Sequence, residues 1–277
     1  MVREILKLLP KSIRLALYRR LRSGFPHDFR VEYAYETFSQ CGEDRILAFL
    51  FSQLAIPTPR YLDVGTWHPC TGNNTYLFYL TGAKGVCVEP NPDLASLIRE
   101  KRPRDKLLNV GVSAEKSGTC RYYLFEDCQF NTFDAEEAAA RALSCRQPIL
   151  KEMSVPVVRL ESIITDYFPD GLELLSLDTE GLDLALLKSL NYKRHRPLAI
   201  CVETVGFSEA VSKPKGNMIT STPVPDGSET VGFSKAMSMP KSEVITALLT
   251  SHGYAPYADT FVNTIYIDTE RTGTVAL

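Results

Sequence analysis

Short, continuously apolar segments recur along this sequence, and segments with helical periodicity separate them. Such apolar segments are typical of parallel strands, because helices cover both faces of a parallel sheet. The strands are predicted at residues 61–64, 85–89, 106–112, 172–178 and 197–203, with a final pair at 253–254 and 261–267. Helices are predicted at residues 93–101, 160–168, 183–190 and 244–252. The alternation therefore predicts one doubly wound α/β domain over roughly residues 38–277.

The composition excludes several classes of protein. With 277 residues, 44% of them hydrophobic, the chain can bury a real core and is neither disordered nor fibrous. A formal net charge of −2 gives no basis for a broad nucleic-acid-binding surface. No apolar run reaches the ~20 residues of a membrane-spanning helix. The seven cysteines are scattered and include no C-x-x-C pair, so we expect a cytoplasmic protein without a metal site.

Residues 1–37 are predicted to form a separate helical segment before the α/β domain. Residues 1–22 carry seven basic side chains against one acid, and apolar residues recur at spacings of three and four. This pattern predicts a basic amphipathic helix. Two interpretations remain open. The helix packs on the body of the protein with its basic side in water, or it makes a peripheral contact with an anionic membrane surface.

A tandem duplication lies late in the chain. ETVGFSEAVSKPK at 203–215 recurs as ETVGFSKAMSMPK at 229–241, with ten of thirteen positions identical. Two units are too few for a solenoid, which needs at least three repeats to bury a continuous core. We expect a loop insertion within about residues 203–241 at a sheet edge. Removal of one copy would leave an ordinary strand–loop–helix connection.

Acidic residues end the predicted strands, at the edge where an open α/β sheet binds its ligand. Asp63 and Gly65 follow the first strand, Glu89 ends the second and Asp178 ends the fourth. An acid at the end of the second strand can accept hydrogen bonds from two ribose hydroxyls, which indicates a nucleoside-containing cofactor. The first turn has no G-x-G-x-x-G motif to approach a pyrophosphate. Acidic strand ends suit a cationic sulfonium, so the pattern favours S-adenosylmethionine over a dinucleotide.

An ordered series of motifs resembles the FkbM-type methyltransferases. The series is SQCGED (39–44), YLDVGTWHP (61–69), NNTYLFYLTGAKGVCVEPNP (73–92), RPRD (102–105), LNVGVS (108–113), LLSLDTEG (174–181) and AICVE (199–203). The resemblance covers about residues 38–268, with Thr66-Trp67 and the duplicated loop as departures. It implies an S-adenosylmethionine-dependent enzyme with a Rossmann-like class I fold. That fold is a seven-stranded, mostly parallel, doubly wound sheet with an antiparallel C-terminal strand.

The resemblance also implies how the cofactor is held. Asp63 and Gly65 are expected to hold its amino-acid end, and Glu89 is expected to hold its ribose. Asn109 and Val112 are expected to frame the adenine.

Two further segments are implied to contact the cofactor. Gln40 and Asp44, which lead into the domain, are expected to close over it. Asn73, Asn74 and Thr75 open the first helix, where their side chains and free N–H groups could bind the cofactor carboxylate. Plain N-capping explains the same run equally well.

Methyl transfer to a hydroxyl needs alignment of the reactants and a base for the hydroxyl proton. Three residues are candidates for the base: Asp178 and Glu180 after the fourth strand, and His68 after the first. Asp178 is also placed near the sulfonium. Glu180 has a structural alternative as a helix cap, and a lone loop histidine is more often a surface residue. Glu203 ends the fifth strand, but it also begins the duplicated unit.

Three functions follow from these patterns. The first is S-adenosylmethionine-dependent O-methylation of a hydroxyl on a small-molecule acceptor, a sugar or a secondary metabolite, where the acceptor class rests on the family resemblance. The second is a nicotinamide-dependent oxidoreductase. The third is a non-catalytic, methyltransferase-like scaffold docked on a membrane through residues 1–22. The intact set of acidic strand ends argues against the third.

Overall fold

The structure is a computed structural model and describes residues 36–144, 148–205 and 240–272. Among these residues, no helix combines the length and the apolarity that a membrane crossing requires. The predicted basic helix in residues 1–22 and most of the duplicated segment lie outside the described residues. The domain boundary near residue 37 therefore stays a prediction.

Ten strands lie in the described part of the chain. They are β1 (Tyr61–Val64), β2 (Gly85–Val88), β3 (Lys106–Leu108), β4 (Gly111–Ser113), β5 (Gly118–Phe125), β6 (Ile149–Arg159), β7 (Leu174–Leu177), β8 (Ala199–Glu203), β9 (Tyr254–Asp259) and β10 (Asn263–Asp268). Seven of them form the main sheet, in the order β3-β2-β1-β7-β8-β10-β9. Strands β3, β2, β1, β7 and β8 are parallel, whereas β10 is antiparallel to both of its neighbours. The predicted seven-stranded class I fold is confirmed.

Helices cover the main sheet on both faces. They are α1 (Glu43–Gln53), α2 (Tyr76–Leu80), α3 (Pro92–Lys101), α4 (Ala135–Ser144), α5 (Leu160–Tyr167), α6 (Asp183–Ser189), α7 (Lys241–Ser251) and α8 (Thr269–Thr272). Local sequence explains where α3 begins, because Asn91 accepts a hydrogen bond from the backbone N–H of Asp93 and Pro92 occupies the first turn.

Two apolar clusters, one on each face, hold the helices to the sheet. Ile163 of α5, Leu187 of α6 and Ile245 of α7 belong to the first cluster, together with Leu62 of β1. The second contains Leu47, Leu50 and Phe51 of α1 and Phe78 of α2, together with Tyr61 of β1. Neighbouring residues of β1 thus serve opposite faces, as the period of two of a strand requires. Every residue of β1 and β7 is buried, which is why these strands are continuously apolar apart from Asp63 and Ser176.

The single strand predicted at residues 106–112 is wrong. The chain leaves the main sheet after β3, and β4 joins a second, three-stranded sheet in the order β4-β6-β5. Asn109 lies between the two strands, and its side-chain amide donates to the carbonyls of Glu89 (2.8 Å) and Pro90 (3.1 Å). These bonds fasten the chain at the edge of the main sheet. Gly111 then pairs with Val157 of β6, where Phe133 and Val157 leave no room for a Cβ atom.

Candidate active site

A cavity of about 700 Å³ opens at the carboxyl ends of β1, β2, β7 and β8. Its floor is the edge of the main sheet, where Gly65, Glu89 and Asp178 lie. Its opposite wall comes from the second sheet and from the connection between β5 and α4, including Tyr122 of β5 and residues 130–133. The ligand of an open α/β sheet binds at this edge, so the cavity is the candidate active site.

The turn after β1 requires a glycine at position 65. Gly65 has a φ of 78°, and a Cβ atom there would lie 1.7 Å from the backbone oxygen of Asp178. The N–H groups of Gly65 and Thr66 both donate to the carbonyl of Val88, at 3.0 and 3.1 Å. The ends of β1, β2 and β7 are therefore in direct contact, and a ligand can approach the backbone closely at this point.

Glu89 places a buried carboxylate on the cavity wall. Its Oε2 accepts from the N–H of Trp67 and its Oε1 from the N–H of Asn91, both at 2.9 Å. Burial raises the pKa of Glu89 to about 7, although these two hydrogen bonds lower it. The N–H groups of Trp67 and Asn91 fix the carboxylate, so its position is set before any ligand binds.

Asp63 lies beneath the cavity rather than on its wall. Its Oδ2 accepts from Thr75 Oγ1 at 2.7 Å and from Asn73 Nδ2 at 3.1 Å, and Arg102 Nη1 lies 3.6 Å away. Asn73 Oδ1 in turn accepts from the N–H groups of Thr75 and Tyr76, at 3.0 and 2.8 Å. Asp63 and Asn73 thus fix the chain at the start of α2, although the N-cap residue itself, Thr75, makes no side-chain capping bond.

Arg102 is a supporting residue whose role the sequence did not reveal. Its side chain is fully buried, and its Nε donates to Asp105 at 2.8 Å. The other guanidinium nitrogens donate to Tyr61 Oη (3.1 Å), Thr75 Oγ1 (2.9 Å) and Asn73 Oδ1 (3.1 Å). One cation therefore ties β1, β3 and the start of α2 together. The available signal was the RPRD motif, in which an arginine directly follows an amphipathic helix.

The sequence-predicted residues divide into two groups by position. Those that line the cavity are Gln40, Gly65, Glu89, Val112, Asp178 and Glu180. Those that do not line it are Asp44, Asp63, His68, Asn73, Asn74, Thr75 and Asn109. All the assigned roles in cofactor binding and catalysis stay predictions.

Several members of the second group have evident structural partners. Asp44 accepts from Thr37 Oγ1 at 2.5 Å and from Ser39 Oγ at 2.9 Å at the start of α1. Asn74 is buried and donates to Ser176 Oγ at 3.4 Å. His68 Nδ1 accepts from the backbone N–H groups that follow it, at 3.1 and 3.0 Å, so this nitrogen is already occupied.

Three carboxylates meet at the ends of β7 and β8. Asp178, Glu180 and Glu203 each offer an oxygen atom within 4.8 Å of the others. Glu180 pairs with Arg141 of α4 at 2.5 Å, and Glu203 pairs with Lys241 of α7 at 2.7 Å. A group of this kind could surround a divalent cation, but protein cations already neutralise two of its three members.

Asp178 differs from its two neighbours because no cation of the described residues forms an ion pair with it. Its Oδ1 is shielded from solvent and accepts no hydrogen bond from the described residues. Removal from water raises the pKa of Asp178 well above its usual range, and the charges of Glu203 and Glu180 raise it further. Burial also raises the pKa of Glu203, to about 8, although Lys241 lowers it. The cavity is thus lined by a carboxyl group with one oxygen to which no residue of the described ranges donates.

Aromatic side chains that the sequence did not assign to the site form much of the opposite wall. Trp67, Tyr122, Phe130 and Phe133 all line the cavity. Trp67 adopts a φ of 51°, unusual for a large residue, and its indole N–H points to Cys128 Sγ at 3.3 Å. Its only sequence signal was the departure from the family pattern at Thr66-Trp67.

The cavity satisfies the chemical requirements of S-adenosylmethionine. Glu89 would offer its fixed carboxylate oxygens to ribose hydroxyls, and Gly65 permits close approach of the backbone. Val88, Val110 and Val112 supply an apolar stretch of wall suited to an adenine ring. The carboxylates of Asp178 and Glu180 complement a cationic sulfur. The doubly wound sheet and this pocket at its carboxyl edge define a class I methyltransferase.

The sequence comparison identifies the family within this class. Residues 63–255 match the family described as "Methyltransferase FkbM domain", and the chain belongs to that family. It is an S-adenosylmethionine-dependent methyltransferase, which decides against the nicotinamide-dependent alternative. Among curated proteins, none matches the sequence significantly.

Solved structures show similarity at low sequence identity. An O-methyltransferase from Bacillus cereus in complex with SAH is 12% identical, with a TM-score of 0.40, over 94% of this chain and 91% of that one. A TehB-like SAM-dependent methyltransferase from Corynebacterium glutamicum is 8% identical, with a TM-score of 0.38, over 94% of this chain and 100% of that one.

Proposed function

We propose that this methyltransferase transfers the methyl group to a hydroxyl of a small molecule, a sugar or a secondary metabolite. The observation that carries the proposal is Asp178. This residue lines the cavity next to the Gly65 turn, its side chain is only partly buried, and no described residue donates a hydrogen bond to its Oδ1. An acceptor hydroxyl in the cavity would donate to this partly exposed carboxylate, which would then take its proton.

Bound S-adenosylmethionine supplies an electrophilic methyl group. Glu89 holds the ribose in this proposal, Gly65 admits the amino-acid end, and Val112 contacts the adenine. The loop between β1 and α2 is held in place by hydrogen bonds among Asp63, Asn73 and Arg102, which support the site without lining the cavity. Gln40 is exposed and borders the cavity, so it is placed to contact the cofactor from the mouth of the site.

Asp178 is the base in this proposal, and the geometry favours it over the other two candidates. Burial raises the pKa of Glu180 as well, but its ion pair with Arg141 lowers that pKa and already engages the carboxylate. His68 lies outside the cavity lining, and its Nδ1 already accepts two hydrogen bonds. Asp178 faces the cavity, and burial raises the pKa of its carboxyl, which makes it a stronger proton acceptor than an ordinary aspartate.

Asp178→Asn should separate cofactor binding from proton transfer. We expect turnover to fall about 10²- to 10⁴-fold, because the amide keeps the shape but cannot accept the proton. The measurement is methyl transfer from labelled S-adenosylmethionine to a panel of sugar and secondary-metabolite hydroxyl compounds, with the affinities for S-adenosylmethionine and S-adenosylhomocysteine measured by calorimetry.

The matched control is Asp170→Asn, an exposed aspartate in the loop before β7, which should leave turnover unchanged. Glu180→Gln should keep its cofactor affinity, whereas Asp178→Asn should bind S-adenosylmethionine less tightly because a negative charge near the sulfonium is lost. Full turnover by Asp178→Asn with an accepted hydroxyl compound would refute its role as the base.

A further inference from the structure

Lys241 links two parts of the cavity that are far apart in sequence. It begins α7, and its Nζ donates to Glu203 Oε2 at 2.7 Å and to Asp183 Oδ2 at 3.0 Å. Glu203 lines the cavity at the end of β8. The Asp183 side chain is fully buried, and that of Lys241 is 17% exposed. Both ion pairs are therefore largely removed from water, where charge interactions are stronger than on a surface.

The contact with Asp183 extends to the turn that contains the proposed base. Asp183 Oδ1 accepts from the N–H and the Oγ1 of Thr179, at 2.9 and 2.8 Å. Thr179 lies between Asp178 and Glu180, which both line the cavity. Lys241 thus holds one carboxylate of the site directly and fixes the turn that carries the other two.

The charges around this turn are unbalanced. Among the described residues, six carboxylates and two cations lie around it. The charged groups are Asp178 and Glu180 on the turn, Asp134 beside Gly181, Glu137 and Arg141 on α4, Asp183 on α6, Glu203 on β8 and Lys241 on α7. Lys241 lowers the pKa of all three cavity carboxyls against the burial and mutual repulsion that raise it. Without this lysine the carboxyls would keep their protons to a higher pH.

The ion pair between Glu203 and Lys241 joins residues from the two copies of the duplicated segment. Glu203 is the first residue of the first copy, and Lys241 is the last residue of the second copy. Each has an identical counterpart in the other copy, Glu229 and Lys215, which lie outside the described residues. A single copy contains both a glutamate at its start and a lysine at its end. The pair therefore joins the outer ends of the duplicated segment, and one copy alone would supply the same two residues.

We propose that Lys241 is a positioning residue of the acceptor side of the active site, assembled with Glu203 from opposite copies of the repeat. It sets the ionisation of Asp178 and Glu203 by holding Glu203 and Asp183 in place. The inference rests on the proposed function in one respect, the role of Asp178 as the base. The lysine that it assigns to the site belongs to the second copy of the repeat.

Lys241→Met, with Lys215→Met as the matched control, tests this proposal. The first readout is the ratio of S-adenosylmethionine to S-adenosylhomocysteine affinity between pH 6 and about pH 10. The two ligands differ by one positive charge at sulfur, so the ratio reports how far the carboxyls facing the cavity are ionised. The second readout is the pH dependence of methyl transfer. For Lys241→Met we expect the acid limb of both pH profiles to move to higher pH by about 1 to 3 units. At a pH below the limb, each unit of this shift should lower the rate of methyl transfer roughly tenfold.

The controls separate positioning from a purely structural role. Lys215→Met should match the wild type in both profiles, and Lys241→Arg, which keeps the cation, should return the limb towards the wild-type pH. An unshifted limb in Lys241→Met, or an equal shift in Lys215→Met, would overturn the proposal. Lost activity with an unmoved affinity profile would likewise overturn it, because it would show a structural effect alone.

A second variant applies if Lys241→Met does not fold. Deletion of residues 203–228 joins Val202 to Glu229 and keeps one glutamate and one lysine in the same order. Its profiles should match those of the wild type, and a displaced limb would contradict the proposal. If the wild type binds S-adenosylmethionine but methylates no hydroxyl compound, the proposed function fails, whereas the affinity ratio still decides the role of Lys241.

Discussion

At the scale of single residues, the strand-end acids have different partners and therefore different tasks. Glu89 is held by two backbone N–H groups and faces the cavity, whereas Asp63 is held by side chains that face away from it. Asp178 Oδ1 accepts from neither kind of partner within the part of the chain that the structure describes. The three acids look alike in sequence, and their hydrogen-bond donors distinguish a ligand-binding wall, a support and a candidate base.

Glu89→Ala tests the assignment to the ribose. Loss of charge-assisted hydrogen bonds worth ~1.5 to 3 kcal/mol should weaken S-adenosylhomocysteine binding about ten- to a hundred-fold. Calorimetric titration measures the affinity, and circular dichroism shows whether the fold survives. Glu115→Ala, at an exposed glutamate between β4 and β5, should bind like the wild type. An unchanged affinity in Glu89→Ala would refute the assignment of Glu89 to the ribose.

At the scale of elements, the site depends on connections between the two sheets. Arg141 of α4 pairs with Glu180 in the turn after β7, and Thr132 Oγ1 donates to the Glu180 carbonyl at 2.8 Å. Glu180 itself adopts a φ of 53°, which is uncommon for a residue with a side chain. The segment that forms the outer wall of the cavity is thereby fastened to the turn that carries Asp178.

The length of the duplicated segment should have little effect on the stability of the protein or on its cofactor affinity. Residues 204–240 connect Glu203 to Lys241, and deletion of residues 203–228 shortens this connection by one copy. Since each doubling of loop length costs about 0.6 kcal/mol, the deletion should leave the free energy of unfolding equal or raise it by about 1 kcal/mol. Urea denaturation with calorimetric titration of S-adenosylhomocysteine measures both properties. Loss of the cooperative transition would show that the first copy is part of the core.

At the scale of the whole molecule, buried carboxyls make stability depend on pH. Burial raises the pKa of Glu89 from its usual 4.5 to about 7. Between these values the unfolded chain releases this proton and the folded protein keeps it. The free energy of unfolding therefore decreases as pH rises through this window, by up to about 1.4 kcal/mol per pH unit for one proton. Glu203, with a pKa of about 8, acts in the same direction.

The Glu89→Gln variant tests this effect, because glutamine cannot release the proton. Urea denaturation of the ligand-free protein at pH 5, 6, 7 and 8 should give a shallower decrease for Glu89→Gln than for the wild type. Glu115→Gln should keep the wild-type slope, since its side chain is exposed. Equal slopes in all three proteins would contradict the assignment of a buried, protonated Glu89.

The sequence by itself located the main strands along the chain and their acidic ends, and it indicated the class of cofactor. These features are local, because a strand buried on both faces must be continuously apolar and its carboxyl end must lie at the edge of the sheet. The same local evidence failed at residues 106–112, where side-chain bonds from Asn109 to a neighbouring turn divide one apolar run between two sheets.

Only the tertiary structure decided which polar residues face the cavity. Asp63 is turned away because Arg102, which follows α3, reaches the chain at the start of α2 from below. Glu180 and Glu203 are neutralised by Arg141 and Lys241, each 38 or 39 positions away in sequence. No pattern of neighbouring residues encodes these partners. The ionisation of a buried carboxyl depends on which charges lie within a few ångströms, and the packing of distant segments sets those distances.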